Sequence, residues 1–406
     1  MTRFILAFAA FTALTALTAD AATSYSVTVK NSWNEAKKDE PVVIRLEDKK
    51  VQSARITRKG SSDPVPCQLD DLDGDTYPDE LVFLVDIAPG ETQQYSVTLS
   101  GRNEKVETPH FASRTYADMM LEDKKNKYPK ITSLEAPGES YLYNDLYHHG
   151  AAWENEVTAY RIYFDQRQNI DIYGKKLRRL ELADTHFYTT PEQMKQDYGN
   201  DVLWAGNSVG CGSFKGYDGK PLNIEPVATR GQKVVATGPL RTVIQVTDKG
   251  WQHPNGSTLN MTQWYIQYAG HRETEVRITF DEPLGSETFC TGAQKYGANS
   301  SSMVVEDGLA ATWGSDYPEM GKKEQFPPEF VGLAVYVPKE FVKQYKEDDL
   351  NHLFILQAKG KKELTYYVTF GADKEKDGYH SAQTWFASVA QWKESLQRPV
   401  KVTVSK

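Results

Sequence analysis

The chain has 406 residues, 39% of them hydrophobic and 25% charged, with 28 Gly and 19 Pro. That composition is globular and excludes disordered, collagenous and coiled-coil chains. Lys and Arg number 47 against 55 Asp and Glu, a net charge of −8, so no basic field exists to neutralise phosphates and nucleic acid is not an expected partner. The 23 Tyr, 16 Phe and 8 Trp offer flat apolar faces with polar edges, which suit stacking on sugars.

Residues 1–21 carry Arg3, an apolar stretch from Phe4 to about Leu17, and Ala19 and Ala21 ahead of Ala22. This is the pattern of a cleavable secretory signal. Thr12, Thr15 and Thr18 interrupt the stretch, which falls short of the ~20 apolar residues a membrane span needs, and no later segment is long and apolar enough. No Cys stands near the cut for lipid attachment. An exported protein, periplasmic or secreted and without a membrane span, is expected. From Ala22 to about Ser100 apolar residues alternate at Tyr25, Val27 and Val29, at Val42, Ile44 and Leu46, and at Tyr95, Val97 and Leu99, around the run Leu81–Val85. Alternation of this kind predicts a small β-sandwich over residues 22–105. A second, larger β-rich region is expected over 106–406. Its turns at Tyr268–His271 and Lys359–Lys362 have the layout of hairpins. Trp385, Val389, Trp392 and Leu396 recur at helical spacing behind an N-cap at Ser381, predicting one C-terminal helix with a core-facing stripe, and Val400, Val402 and Val404 predict a last strand. Cys67, Cys211 and Cys290 match no zinc or redox spacing; a Cys211–Cys290 bridge and buried free thiols are both compatible with the sequence.

Two segments could carry chemistry. In the first, Asp71, Asp73, Asp75 and Asp79 take positions one, three, five and nine of a calcium-type loop, although Thr76 and Val82 replace its Gly and bidentate Glu and a strand follows. A structural Ca²⁺ and a plain acidic turn are the two readings; no other cofactor is indicated. The second segment runs from His148-His149-Gly150 through Trp153, Glu154, Asn155 and Glu156 into two strands. If Ile162, Phe164, Ile170 and Ile172 face a core, then Arg161, Tyr163, Asp165, Asp171 and Tyr173 share the other face. Such a face is either a cleft or a set of ordinary ion pairs.

On a uronate-containing oligo- or polysaccharide, a lyase must neutralise the carboxylate, remove the C5 proton and protonate the departing oxygen. Arg161, His148 or His149, and Tyr163 could fill those roles. A hydrolase would instead draw on Glu154, Glu156, Asp165 and Asp171. A glycan-binding protein without turnover is the third reading, using the aromatics alone. Trp204 in the Gly-rich 204–212 loop and Trp264 are candidate sugar contacts.

Over nearly the whole mature chain the sequence resembles the DUF4861 family of exported proteins from Bacteroides and relatives. The resemblance rests on Pro66-Cys67-Gln68 through Asp79–Phe83, His149-Gly150-Ala151, Glu154-Asn155-Glu156, Tyr160–Asp165, Asp171–Lys175, Tyr198–Leu203 and Gly238–Arg241. It implies carbohydrate processing outside the cytoplasm and a galactose-mutarotase-like β-supersandwich for the larger part. It supplies no established catalytic set; read from the residues alone, Asn155, Tyr173, Lys175 and Arg241 are candidate substrate contacts beside Trp153 and Asp171.

Overall fold

Alternating apolar residues build the first layer of the computed structural model, which describes residues 22–46, 51–101, 109–185, 187–297, 300–318, 323–324 and 327–406. The expected signal, residues 1–21, lies outside them. Tyr25, Val27 and Val29 on Thr23–Lys30 point inward with Val97 and Leu99 of Thr92–Ser100, while Val42, Ile44, Leu81 and Phe83 face them from the strands Lys37–Arg45 and Glu80–Ile87. A five-stranded and a three-stranded antiparallel sheet thus close a small sandwich. Lys401–Ser405 joins it too, pairing with Thr23–Lys30 so that Val404 lies opposite Val27. Val400 and Val402 are buried in its core.

The larger part is also antiparallel. A nine-stranded sheet, with Arg241–Gln252, Thr258–Tyr268 and Thr274–Phe280 near its middle, packs over two five-stranded sheets. Between them lie Ile244, Val246, Tyr265, Ile278, Tyr366 and Val368 from the large sheet, with Trp153, Tyr160, Ile162, Ile170 and Ile172 opposite. Each such fully buried side chain contributes roughly 1.5–3 kcal/mol. The all-β expectation holds, and one long helix, Ala382–Leu396, is capped by Ser381, whose Oγ accepts from Thr384 N at 3.2 Å. Trp385 and Val389 bury its inner stripe against Ala311 and Trp313. Among the described residues no helix is long and apolar enough to cross a membrane. All three cysteines are buried and free.

One hairpin expectation fails. The turn at Tyr268–His271 does join paired strands. The residues Lys359–Lys362, by contrast, carry the chain from Asn351–Leu356 in one sheet to Glu363–Ala372 in the nine-stranded sheet. Asn351–Leu356 is buried throughout and paired on both edges by other strands. Tertiary packing, not the local turn, chose its neighbours.

The two parts are fastened by buried polar groups. Arg241 donates to Asp70 at 2.7 Å and to Glu80 at 2.7 Å, and Gln68 accepts from Leu240 and Arg241 N–H groups. The turn carrying His271 presses on Asp39 so closely that a Cβ on Gly270, at φ +79°, would lie 2.3 Å from Asp39 Oδ2. His271 Nδ1 meets Glu273 at 2.8 Å and Nε2 meets the Asp39 carbonyl at 2.9 Å. Burial alone would lower its pKa, but the charge and hydrogen bond of Glu273, with Glu40 and the Asp39 carbonyl, raise it to about 9. A folded pKa above the unfolded value near 6.5 stabilises fully below pH 6.5, and that stabilisation is lost as pH rises through 9. Denaturant titrations at pH 6.5 and 9.5 are expected to differ by on the order of 2 kcal/mol, and His271→Gln should remove the difference. An equal pH dependence in wild type and variant would contradict the assignment.

Candidate active site

The sequence-predicted polar face exists. Arg161 stands directly opposite Asp171 in the pairing of Ala159–Ile162 with Ile170–Gly174, while Ile162, Phe164, Ile170 and Ile172 enter the core. Arg161 Nη2 donates to Asp171 Oδ2 at 2.6 Å, to Asp201 Oδ2 at 2.8 Å and to the Tyr163 hydroxyl at 3.1 Å. This face is roofed, not open. The one-turn helix Leu182–Thr185 and Phe187 cover it, with the Phe187 ring 4.2 Å from the Arg161 guanidinium. Arg161 is therefore fully buried, and its Nη1 has no hydrogen-bond partner among the described residues.

The face reaches solvent at one edge. There His149 stacks on Tyr163 with ring centroids 5.4 Å apart and an 18° tilt, and Tyr143 and Tyr188 meet it edge-on. His149 Nδ1 lies 2.7 Å from the Tyr143 carbonyl and Nε2 lies 2.8 Å from the Tyr188 hydroxyl. A carbonyl only accepts, so Nδ1 carries the proton and Nε2 presents its lone pair to the Tyr188 O–H. Burial, then the nearby Arg161 charge, lowers His149 to about 4 against the Tyr143 hydrogen bond, so the ring is neutral at pH 7. Burial raises Tyr188 to about 12, opposed by Arg161. The backbone at His149 adopts φ +64°, a conformation uncommon outside glycine and one that clusters at functional sites. Gly150 follows because a Cβ there would sit 1.8 Å from the Ile162 carbonyl oxygen. His149 N–H donates to the Leu146 carbonyl and its own carbonyl accepts from Phe164 N–H, which fix the turn.

Arg167 completes the edge. Its Nε donates to Asp165 at 2.7 Å and Nη2 binds the same carboxylate, while its guanidinium lies 5.3 Å from the Tyr143 ring and 5.6 Å from the Tyr163 ring. The side chain is 34% exposed, making it the accessible cation of the group. Lys215, buried beneath, donates to Asn169 Oδ1 at 2.8 Å and to the Arg167 carbonyl. Trp204 stands 45% exposed on the segment whose Leu203 N–H donates to Asp201.

The other predicted residues divide by location. His148 is buried behind the site with its Nε2 3.2 Å from Asp118; burial would raise Asp118, but His148, Tyr116 and Lys130 hold it low. Glu154 accepts from the backbone N–H groups of Glu181 and Leu182 and pairs with Lys175 at 2.5 Å, so it anchors the roofing helix. Lys175 also donates to the Asn155 and Arg179 carbonyls. Tyr173 donates to Glu181 under the same roof. Asn155 ties its own hairpin to the Tyr268 and His271 carbonyls, and Glu156 binds Arg114. Trp153 is core, stacked on Tyr160. Arg241 and Trp264 lie elsewhere, at the seam between the two parts. Tyr143, Arg167, Tyr188 and Asp201 join the site without having been singled out from the sequence.

In the acidic loop the Asp71, Asp73 and Asp79 carboxylates each place an oxygen within 4.8 Å of the others. Asp75 is outside that group and accepts from Tyr77 N–H. Loop N–H groups of Leu72, Gly74 and Thr76 already donate to Asp79 and Asp71.

A family model described as "Domain of unknown function (DUF4861)" matches residues 29–402. The chain belongs to the DUF4861 family. No curated protein matches this DUF4861 chain. Among solved structures it is similar to a glycosyl hydrolase family 38 protein from Enterococcus faecalis, at 8% identity and a TM-score of 0.48 over 94% of this chain and 47% of that one. It is likewise similar to an alpha-mannosidase from Enterococcus faecalis V583, at 9% identity and a TM-score of 0.47 over 94% and 46%. The chain thus spans just under half the length of each.

Proposed function

We propose that this protein is an exported carbohydrate-active lyase that cleaves uronate-containing oligo- or polysaccharide by β-elimination at the His149 edge. One observation carries the choice of lyase: a neutral imidazole with its Nε2 lone pair held toward a phenol, among carboxylates already matched to cations. Glu154 pairs with Lys175, Asp165 with Arg167, and Asp171 and Asp201 with Arg161. A glycosidase typically needs two carboxyl groups facing the sugar, one as proton donor and the other as base or nucleophile, and these four are committed to structural partners.

In the proposed reaction Arg167 holds the uronate carboxylate, with Arg161 adding positive potential behind Tyr163. His149 Nε2 takes the C5 proton, the C5–H electrons form the C4–C5 double bond, and the C4–O bond breaks. The Tyr188 hydroxyl protonates the departing oxygen. The imidazolium then returns its proton to the tyrosinate along the hydrogen bond they already share, which restores both groups. Two substrates differing only in reduction of the uronate carboxyl to an alcohol test the recognition step. Cleavage of the acid alone is expected, and equal cleavage of both would overturn it.

For the acidic loop we propose a structural Ca²⁺ that Asp71, Asp73 and Asp79 would hold, since carboxylate oxygens are the donors a hard cation takes. Because loop N–H groups already satisfy part of these carboxylates, the effect is small. Millimolar CaCl2 is expected to raise the melting temperature by about 2 °C over the EDTA-treated protein, and Asp79→Ala should abolish the increment. Identical melting curves with and without calcium would refute the site.

A further inference from the structure

The seam between the small sandwich and the outer face of the nine-stranded sheet encloses a cavity of about 390 Å³, a size within the range of small-molecule sites. Four aromatic side chains line it: Trp33 from the small sandwich, Tyr268 and Tyr367 from the large sheet, and Trp392 from the C-terminal helix. Apart from Lys38, which is exposed, the charges in its wall stand in pairs. Lys37 meets Glu40 at 3.2 Å, Arg241 meets Glu80 at 2.7 Å, His271 meets Glu273 at 2.8 Å and Arg277 meets Glu275 at 2.8 Å.

Pairing of this kind selects a ligand class. A charged group placed past Lys38, among these pairs, would have to break one or leave an uncompensated charge in a half-buried site, either of which is costly. A neutral polyhydroxylated ligand needs neither, because each hydroxyl both donates to a carboxylate and accepts from a guanidinium or ammonium. Its C–H faces match the aromatic faces. We propose that this cavity is a second saccharide site, separate from the His149 edge, that takes a neutral sugar unit. An adjoining cavity of about 730 Å³ shares Glu80, Arg241, Ile266 and Arg277 with it and adds Trp264, Gln245 and Lys233. A longer glycan can therefore continue along the seam. The proposal does not depend on the lyase reading.

The test is calorimetric and NMR-detected binding of cellobiose, lactose and mannobiose, with glucuronic acid as the charged comparison. At least one neutral disaccharide is expected to bind the wild type and the His149→Ala variant equally. Trp33→Ala and Ala36→Trp should each weaken it tenfold or more; Ala36 is an exposed lining residue, so the second variant obstructs the cavity without touching the core. No binding of any neutral disaccharide would overturn the proposal, as would binding unchanged in both variants or displacement by glucuronic acid at lower concentration.

Discussion

Replacing His149 with Ala is expected to lower kcat on a uronate substrate by roughly 10²–10⁴-fold, the range for loss of a positioned general base, with KM changed only a few-fold. Tyr188→Phe should fall in the same range. Because the two side chains act as one proton-passing unit, the double variant should be little worse than either single one. The pH profile carries more information. The base must be neutral, and His149 is held at about 4 by burial and Arg161, so kcat/KM should stay level down to about pH 5 and fall with a midpoint near 4. An acid limb centred near 6.5 would contradict the assignment. The same depression has a stability consequence of opposite sign to that of His271. Unfolded His149 takes up a proton near pH 6.5 while the folded ring does not, so folding loses stability as pH drops from 6.5 to 4.

The largest stability effect is expected at Arg241, not in the active site. Arg241→Met would leave Asp70 and Glu80 buried without their counter-charge. Breaking a buried pair from one side costs about 3–5 kcal/mol. Chemical denaturation should show that loss, and adding Asp70→Asn and Glu80→Gln should recover a good part of it, because the stranded charges are then gone. A single variant within about 1 kcal/mol of wild type would show that the seam is fastened otherwise.

Alternation made the polar face legible: once Ile162, Phe164, Ile170 and Ile172 enter the core, Arg161, Tyr163 and Asp171 must share the far side. The C-terminal helix and its cap were legible for the same reason, since period and capping residue are local. What covers that face was not. Glu154 looks like a catalytic acid in sequence, yet it binds the backbone at Glu181 and Leu182, a partnership made by tertiary folding. The adjacent histidines were indistinguishable by type. Positive φ at His149, beside a glycine that only a missing Cβ permits, sends His149 to the Tyr188 edge while His148 turns back to Asp118. Tyr143 comes from a single 3₁₀ turn, Leu142–Asn144, and Tyr188 from a loop, neither with a period to read. Their only sequence signal was the abundance of tyrosine.

Ultraviolet absorbance of the C4–C5 double bond, followed together with new reducing ends while the purified protein acts on a panel of uronate-containing glycans, tests the account most directly. The account predicts that absorbance and reducing ends rise in equal molar amounts on at least one glycan and that both vanish in His149→Ala. Reducing ends without absorbance would contradict it and establish hydrolysis in its place.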